Sequence, residues 1–140
     1  ETVTPLPAVE KAHGKVLTYG LGLGYFPFMA SRKDNVDSVT IVERSPEVIE
    51  LFKTLLLPQF PHKDKIRVIC SDAFAYWEQE MPQERYDFVF ADIWHDVGDG
   101  RELYLRMKAL EHLSLDTEYS YWLEDTIRCY LAAELWPPRL

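Results

Sequence analysis

Short apolar runs alternate with longer amphipathic stretches along this chain, and that alternation restricts the fold more than any other feature. Residues 16–19, 38–42, 66–70 and 86–91 are runs of β-branched, aromatic and aliphatic side chains. Each has the length of a strand buried on both faces. Between them the spacing predicts helices over 26–32, from Pro46 onward, over 73–80 and over 102–113. In the second of these Val48, Ile49, Phe52, Leu55 and Leu56 recur at helical spacing, with Ser45 as N-cap and Pro46 as the first helical residue. Asp72 stands as cap of the third, and Leu103, Met107, Leu110 and Leu113 form a stripe on the fourth. A β-α-β-α-β-α-β order requires right-handed crossovers and a parallel sheet with helices on both faces. Beyond it, residues 118–124 read as a fifth strand and 126–135 as a closing helix. A single helix from Thr117 onward is the competing reading.

With 140 residues the chain makes one domain. Its 15 Lys and Arg against 23 Asp and Glu leave a formal charge of −8, which argues against a nucleic-acid partner held by phosphate neutralisation. Cys70 and Cys129 are too few for a disulfide framework or a zinc site, so a reduced, cytoplasmic setting is expected. No apolar run approaches the roughly 18–20 residues of a membrane span, so no membrane partner is expected.

Gly20-Leu21-Gly22-Leu23-Gly24 follows the first strand directly and opens the next helix. Glycines there permit positive φ and close approach of a ligand to the backbone, or serve only to pack a tight strand-to-helix turn. A dinucleotide fingerprint would need a third glycine at position 25 or 27, and Tyr25 and Pro27 stand there instead, so a nicotinamide dinucleotide is disfavoured. Glu43 closes the second strand, 23 residues after Gly20. The ends of strands one and two are neighbours in such a sheet, and a carboxylate there can accept both hydroxyls of a ribose. As a residue at the rim, Glu43 is expected to contribute little to stability.

Gly20 to Gly24, Glu43-Arg44-Ser45-Pro46, Ser71-Asp72-Ala73-Phe74 and the run from Tyr86 to Asp92 occur in that order. Together they resemble the strand-end motifs of class I S-adenosylmethionine-dependent methyltransferases and the related spermidine-synthase-like proteins. The resemblance spans residues 14–113 and implies a three-layer Rossmann-like α/β sandwich with strand order 3-2-1-4-5. It implies S-adenosylmethionine as cofactor, with Gly20, Gly22 and Gly24 beneath the methionine and ribose portions. Glu43 resembles the acid that takes the ribose hydroxyls, with Arg44 and Ser45 beside the adenine. Asp72 and Ala73 resemble the pair that meets the adenine edge, and Phe74 either packs on the base or joins the core. Asp92 stands where the family places a polar residue near the methyl donor or the substrate.

The end of strand four, residues 91–100, defines the chemistry. The Asn/Asp-Pro-Pro-aromatic motif of nucleic-acid amino methyltransferases is absent. Asp92, His95 and Asp96 are the candidate catalytic residues, any of them suited to general-base work on a nucleophile. His95, Asp96 and Asp99 are also side chains of the kind that hold a divalent ion, but no further ligands accompany them, so no metal is expected. Asp96 and Asp99 also read as turn formers around Gly98 and Gly100. Trp94 is expected at the ligand-side rim, where it could stack on the cofactor, while Trp77, Trp122 and Trp136 read as core or interface residues.

The domain therefore reads as a lead-in over 1–13, a cofactor-binding core over 14–113 and a reduced part over 114–140. The family continues through an antiparallel hairpin of strands six and seven, and at most a fifth strand fits here. Tyr119, Tyr121, Trp122 and the tail 136–140 would cover the open edge, or a homodimer would form through it. Methyl transfer to a small-molecule or otherwise unidentified acceptor is the leading expectation. An aminopropyltransferase using the decarboxylated cofactor is the enzyme alternative, and a degenerate binding module is the other.

Overall fold

The computed structural model describes residues 6–94 and 97–134. Its elements are α1 (Leu6–Lys11), β1 (Gly14–Tyr19), α2 (Tyr25–Ser31), β2 (Val36–Glu43), α3 (Pro46–Leu51), β3 (Ile66–Cys70), α4 (Ala73–Gln79), β4 (Phe88–Ala91), α5 (Val97–Lys108), β5 (Glu118–Tyr121) and α6 (Glu124–Glu134). The strands form one sheet in the order β3-β2-β1-β4-β5, and every pairing is parallel. This is the expected three-layer sandwich.

Alternate strand residues feed two cores, which explains why the strands read as continuous apolar runs. Val16, Ile41, Phe88 and Phe90 pack with Ala8, Phe26 and Phe52, so α1, α2 and the α3 region cover one face. Leu17, Tyr19 and Val89 pack with Trp77, Met107 and Ile127, so α4, α5 and α6 cover the other. Trp77 lies flat between Tyr19 and Tyr119, with ring centroids 5.1 and 5.5 Å away. At the N-terminal edge of the sheet Glu84 accepts from Tyr86 at 2.7 Å and pairs with Arg67 at 3.0 Å and Lys15 at 3.4 Å. The bond from Tyr86, with Arg67 and Lys15, holds the Glu84 carboxyl below its usual range against the opposing effect of burial.

Several expectations need correction. α1 was not anticipated; it packs Ala8 and Val9 on the sheet, and its C-terminal carbonyls are bound by Lys33, whose Nζ donates to Val9, Glu10 and Ala12. The helix from Pro46 does not run regularly to Leu56, because a π turn occupies Phe52–Leu56. That turn shifts the helical phase, so Leu55 and Leu56 leave the buried stripe and Phe60 packs edge-on to Phe52 instead. α5 starts at Val97, so Gly98, Asp99 and Gly100 are helical rather than a turn. Gly100 is needed for packing: a Cβ there would sit 2.8 Å from Cδ1 of Trp94. Leu113 is exposed at the far end of the expected stripe, whereas Tyr104 is buried. β5 ends at Tyr121, and the turn into α6 passes through Leu123 at φ 59. Trp136 and the rest of the tail lie outside the described residues. Among the described residues no helix is long and apolar enough to cross a membrane.

Candidate functional site

The register of the sheet brings four strand ends onto one edge. Tyr19 is level with Val42 and Ala91, and Glu43 is level with Cys70. Backbone bonds continue the ladder one step further. The Gly20 N–H donates to the Val42 carbonyl at 2.8 Å, the Asp92 N–H to that of Tyr19 at 2.7 Å, and the Ser71 N–H to that of Glu43 at 3.1 Å. The four loops leaving this edge surround a cleft of about 510 Å³, inside the usual size range of small-molecule sites. A second cavity of about 290 Å³, between α1 and the start of α6, shares no wall residue with it.

Gly20 and Gly22 form the floor beside β1, with φ 91 and 56. A Cβ at Gly20 would collide with the Asp92 carbonyl oxygen, and one at Gly22 with the Asp92 carboxylate. The loop and the end of β4 are therefore as close as backbone permits, and only glycine satisfies both the conformation and the contact. Gly24, at φ 83, starts α2 and abuts Leu56 and Phe52; it is not a wall of the cleft.

Glu43 lies between the glycine loop and the next helix. Its Oε1 accepts the Leu21 N–H and its Oε2 the Ser45 N–H, both at 3.0 Å. The expectation of a rim carboxylate with little structural role is thus corrected: Glu43 ties two loops together while lining the cleft. Arg44 is exposed on the same wall. Ser45 caps α3, its Oγ accepting the Val48 N–H at 3.3 Å, and stands just outside the wall.

Asp72 caps α4 as the sequence predicts, with Oδ2 accepting the Ala75 N–H at 3.0 Å. Asp72, buried Ala73 and half-buried Phe74 all line the cleft. Asp92 lines it from β4. Trp94 borders it but is not a rim residue. It is 2% exposed, its N–H donates to the Trp122 carbonyl at 2.7 Å, and its ring stacks on Tyr121 at 6.3 Å. His95 and Asp96 lie outside the described residues, so the structure does not locate them.

Nine of the eleven residues expected to hold a cofactor therefore meet at one cleft; Gly24 and Ser45 shape its loops from behind. Sequence reasoning missed Val48, Ile93 and Leu103 as apolar walls, and Arg106 as a charged one. Leu103 and Arg106 are three residues apart on α5 and so share a side of the helix. That spacing was visible, but nothing in the sequence indicated that this side faces the cleft.

No protein-family model matches the chain, and no curated protein is significantly similar to it. Solved structures are similar in shape. A human methyltransferase 10 domain containing protein superposes with a TM-score of 0.61 at 16% identity, over 89% of this chain and 60% of that one. A conserved hypothetical protein from Streptococcus pyogenes gives 0.49 at 14% identity, over 69% and 61% of the two chains. The methyltransferase domain of bacterial CtHen1 gives 0.48 at 19%, over 71% and 49%. The chain thus spans between about half and three fifths of the length of these structures. At such identities the likeness establishes the fold alone, a Rossmann-like α/β sandwich of strand order 3-2-1-4-5 that the human protein shares over most of this chain.

Proposed function

We propose that the cleft binds S-adenosylmethionine and that the protein transfers its methyl group to a nucleophilic acceptor. The observation that carries this reading is the position of Glu43, bound to the glycine loop on one side and to the start of α3 on the other, on the wall of a cleft that also contains Asp72. A carboxylate offers about four lone-pair sites. Two are used by Leu21 and Ser45, which leaves two for the two hydroxyls of a ribose. The strand order supports an elongated ligand: base over β3 at Asp72 and Ala73, ribose over β2 at Glu43, and the amino-acid end over β1 at Gly20 and Gly22. Missing Cβ atoms at those two glycines give the backbone room to meet it.

When bound, S-adenosylmethionine supplies an electrophilic methyl carbon on a sulfonium, and its displacement leaves a neutral thioether. The residues of this chain have mainly to hold donor and acceptor in contact. Asp92, at the end of β4 and against the glycine loop, is the carboxylate positioned to take a proton from an acceptor that must lose one. Val48, Ile93 and Leu103 supply apolar walls that limit water around the ligand.

Calorimetric titration with S-adenosylmethionine and S-adenosylhomocysteine tests the reading. Saturable binding of both is expected, and no heat at millimolar ligand would sink it. A panel of methyl acceptors, run beside putrescine with the decarboxylated cofactor, then separates methyl from aminopropyl transfer.

A further inference from the structure

We propose that Arg106, backed by Phe74, supplies the stacking surface for the purine base of the ligand and makes the cleft selective for a planar base. This rests on the reading of the cleft as an S-adenosylmethionine site and adds to it a specificity-determining residue on α5. The guanidinium carbon of Arg106 lies 3.9 Å from the centroid of the Phe74 ring. At that separation it covers one face of the ring. A base cannot occupy the same face; of the two roles expected for Phe74, on the base or in the core, its packing against the core favours the second, and the proposed order is Phe74, guanidinium and base. A guanidinium suits the middle layer because it is planar, delocalised and weakly hydrated, and stacks on aromatic faces.

The charges nearby point the same way. The cleft contains the carboxylates Glu43, Asp72 and Asp92, yet among the described residues Arg106 forms no salt bridge and rests on an aromatic ring. Lys108, two residues on, pairs with Glu111 at 3.1 Å. Position matters too. Phe74 follows β3, whereas the glycine loop follows β1, two strand intervals or about 10 Å away. A ligand with its ribose at Glu43 and its amino-acid end at the glycine loop extends its base toward Arg106. An uncharged purine is accepted beside a guanidinium, whereas a sulfonium or ammonium there would be repelled.

The test compares the parent with Arg106→Ala, Arg106→Lys and Phe74→Leu, each titrated with S-adenosylhomocysteine and with adenosine. Arg106→Ala should weaken both ligands by the same factor, about tenfold. Arg106→Lys keeps the charge but not the plane and should recover little of it. Phe74→Leu should shift both ligands in the same direction. The ligand-free melting temperature of Arg106→Ala should fall by no more than a few degrees, the loss of one exposed cation–π contact. Unchanged binding in Arg106→Ala would overturn the assignment. So would a loss confined to S-adenosylhomocysteine, which would mean that Arg106 reads the amino-acid carboxylate, or full recovery with lysine, which would mean that charge alone matters. If the parent itself bound neither ligand, the cofactor reading would fail and the role of Arg106 with it; binding by the parent with an insensitive Arg106 overturns only the latter.

Discussion

Removing the Glu43 carboxylate takes the acceptor from two backbone N–H groups, those of Leu21 and Ser45, before any ligand is considered. Glu43→Ala should therefore lower ligand-free stability by about 1–3 kcal/mol, the cost of stranding partly buried donors. It should also weaken S-adenosylhomocysteine by about 1.5–3 kcal/mol through the lost charged acceptor. Thermal unfolding without ligand and calorimetry with it measure the two effects separately, and a variant as stable as the parent would contradict the tie between the loops. The second effect was legible in the sequence, since an acid closing strand two invites it; the first was not, because Leu21 and Ser45 meet Glu43 only once the loops fold over the strand end. A different carboxylate sets the response to acid. The pKa of Glu84 is lowered in the fold, foremost by the Tyr86 hydrogen bond. Its stabilising effect is complete above the unfolded carboxylate value near pH 4.5 and is lost as pH falls through the lower folded value. Glu84→Gln should flatten the decline in melting temperature on acidification; an unchanged slope would remove Glu84 from the account.

At the scale of elements, α5 shows how packing overrules local preference. Gly98 and Gly100 carry turn signals, and in isolation glycine costs a helix about 1 kcal/mol relative to alanine. The helix nevertheless runs from Val97, with Gly100 against the buried indole of Trp94. Gly100→Ala should therefore destabilise the protein despite its better helix propensity, by about 1–3 kcal/mol for overpacking. Chemical denaturation followed by tryptophan fluorescence reads it, and a stabilised variant would show that the contact yields cheaply. α4 behaves as its sequence says: Asp72 caps it, and Asp72→Ala should cost about 1 kcal/mol, measured in the same denaturation series. Pro46 and Ser45 likewise start α3 where the sequence predicts, since cap chemistry is local. The π turn that follows runs up to the turn holding Pro58 and leaves Phe52 edge-on to Phe60, eight residues on.

For the molecule as a whole, tyrosines report the integrity of the core. Tyr19, Tyr86, Tyr104 and Tyr121 are pushed above their ordinary range and Tyr119 up to about 12, in every case first by burial. The fold keeps their hydroxyls protonated, so its stability is intact below the unfolded tyrosine value near pH 10 and declines as pH rises beyond it. Tyrosinate absorbance from these side chains should appear together with loss of circular dichroism, not before it. Ionisation of all eight tyrosines at ordinary pH with the fold intact would contradict the packing described.

By itself the sequence determined the α/β alternation, the parallel sheet and the strand ends that carry Gly20, Glu43, Asp72 and Asp92, because period, cap and turn chemistry act between residues close along the chain. Tertiary structure decided what those residues touch. The contact of Gly22 with Asp92, the burial of Trp94 and the meeting of Phe74 with Arg106 join segments between 28 and 70 residues apart or depend on which helix side faces the cleft. Such contacts follow from sheet register and helix phase together: the periodic pattern shows which residues share a face, but not which distant partner that face meets.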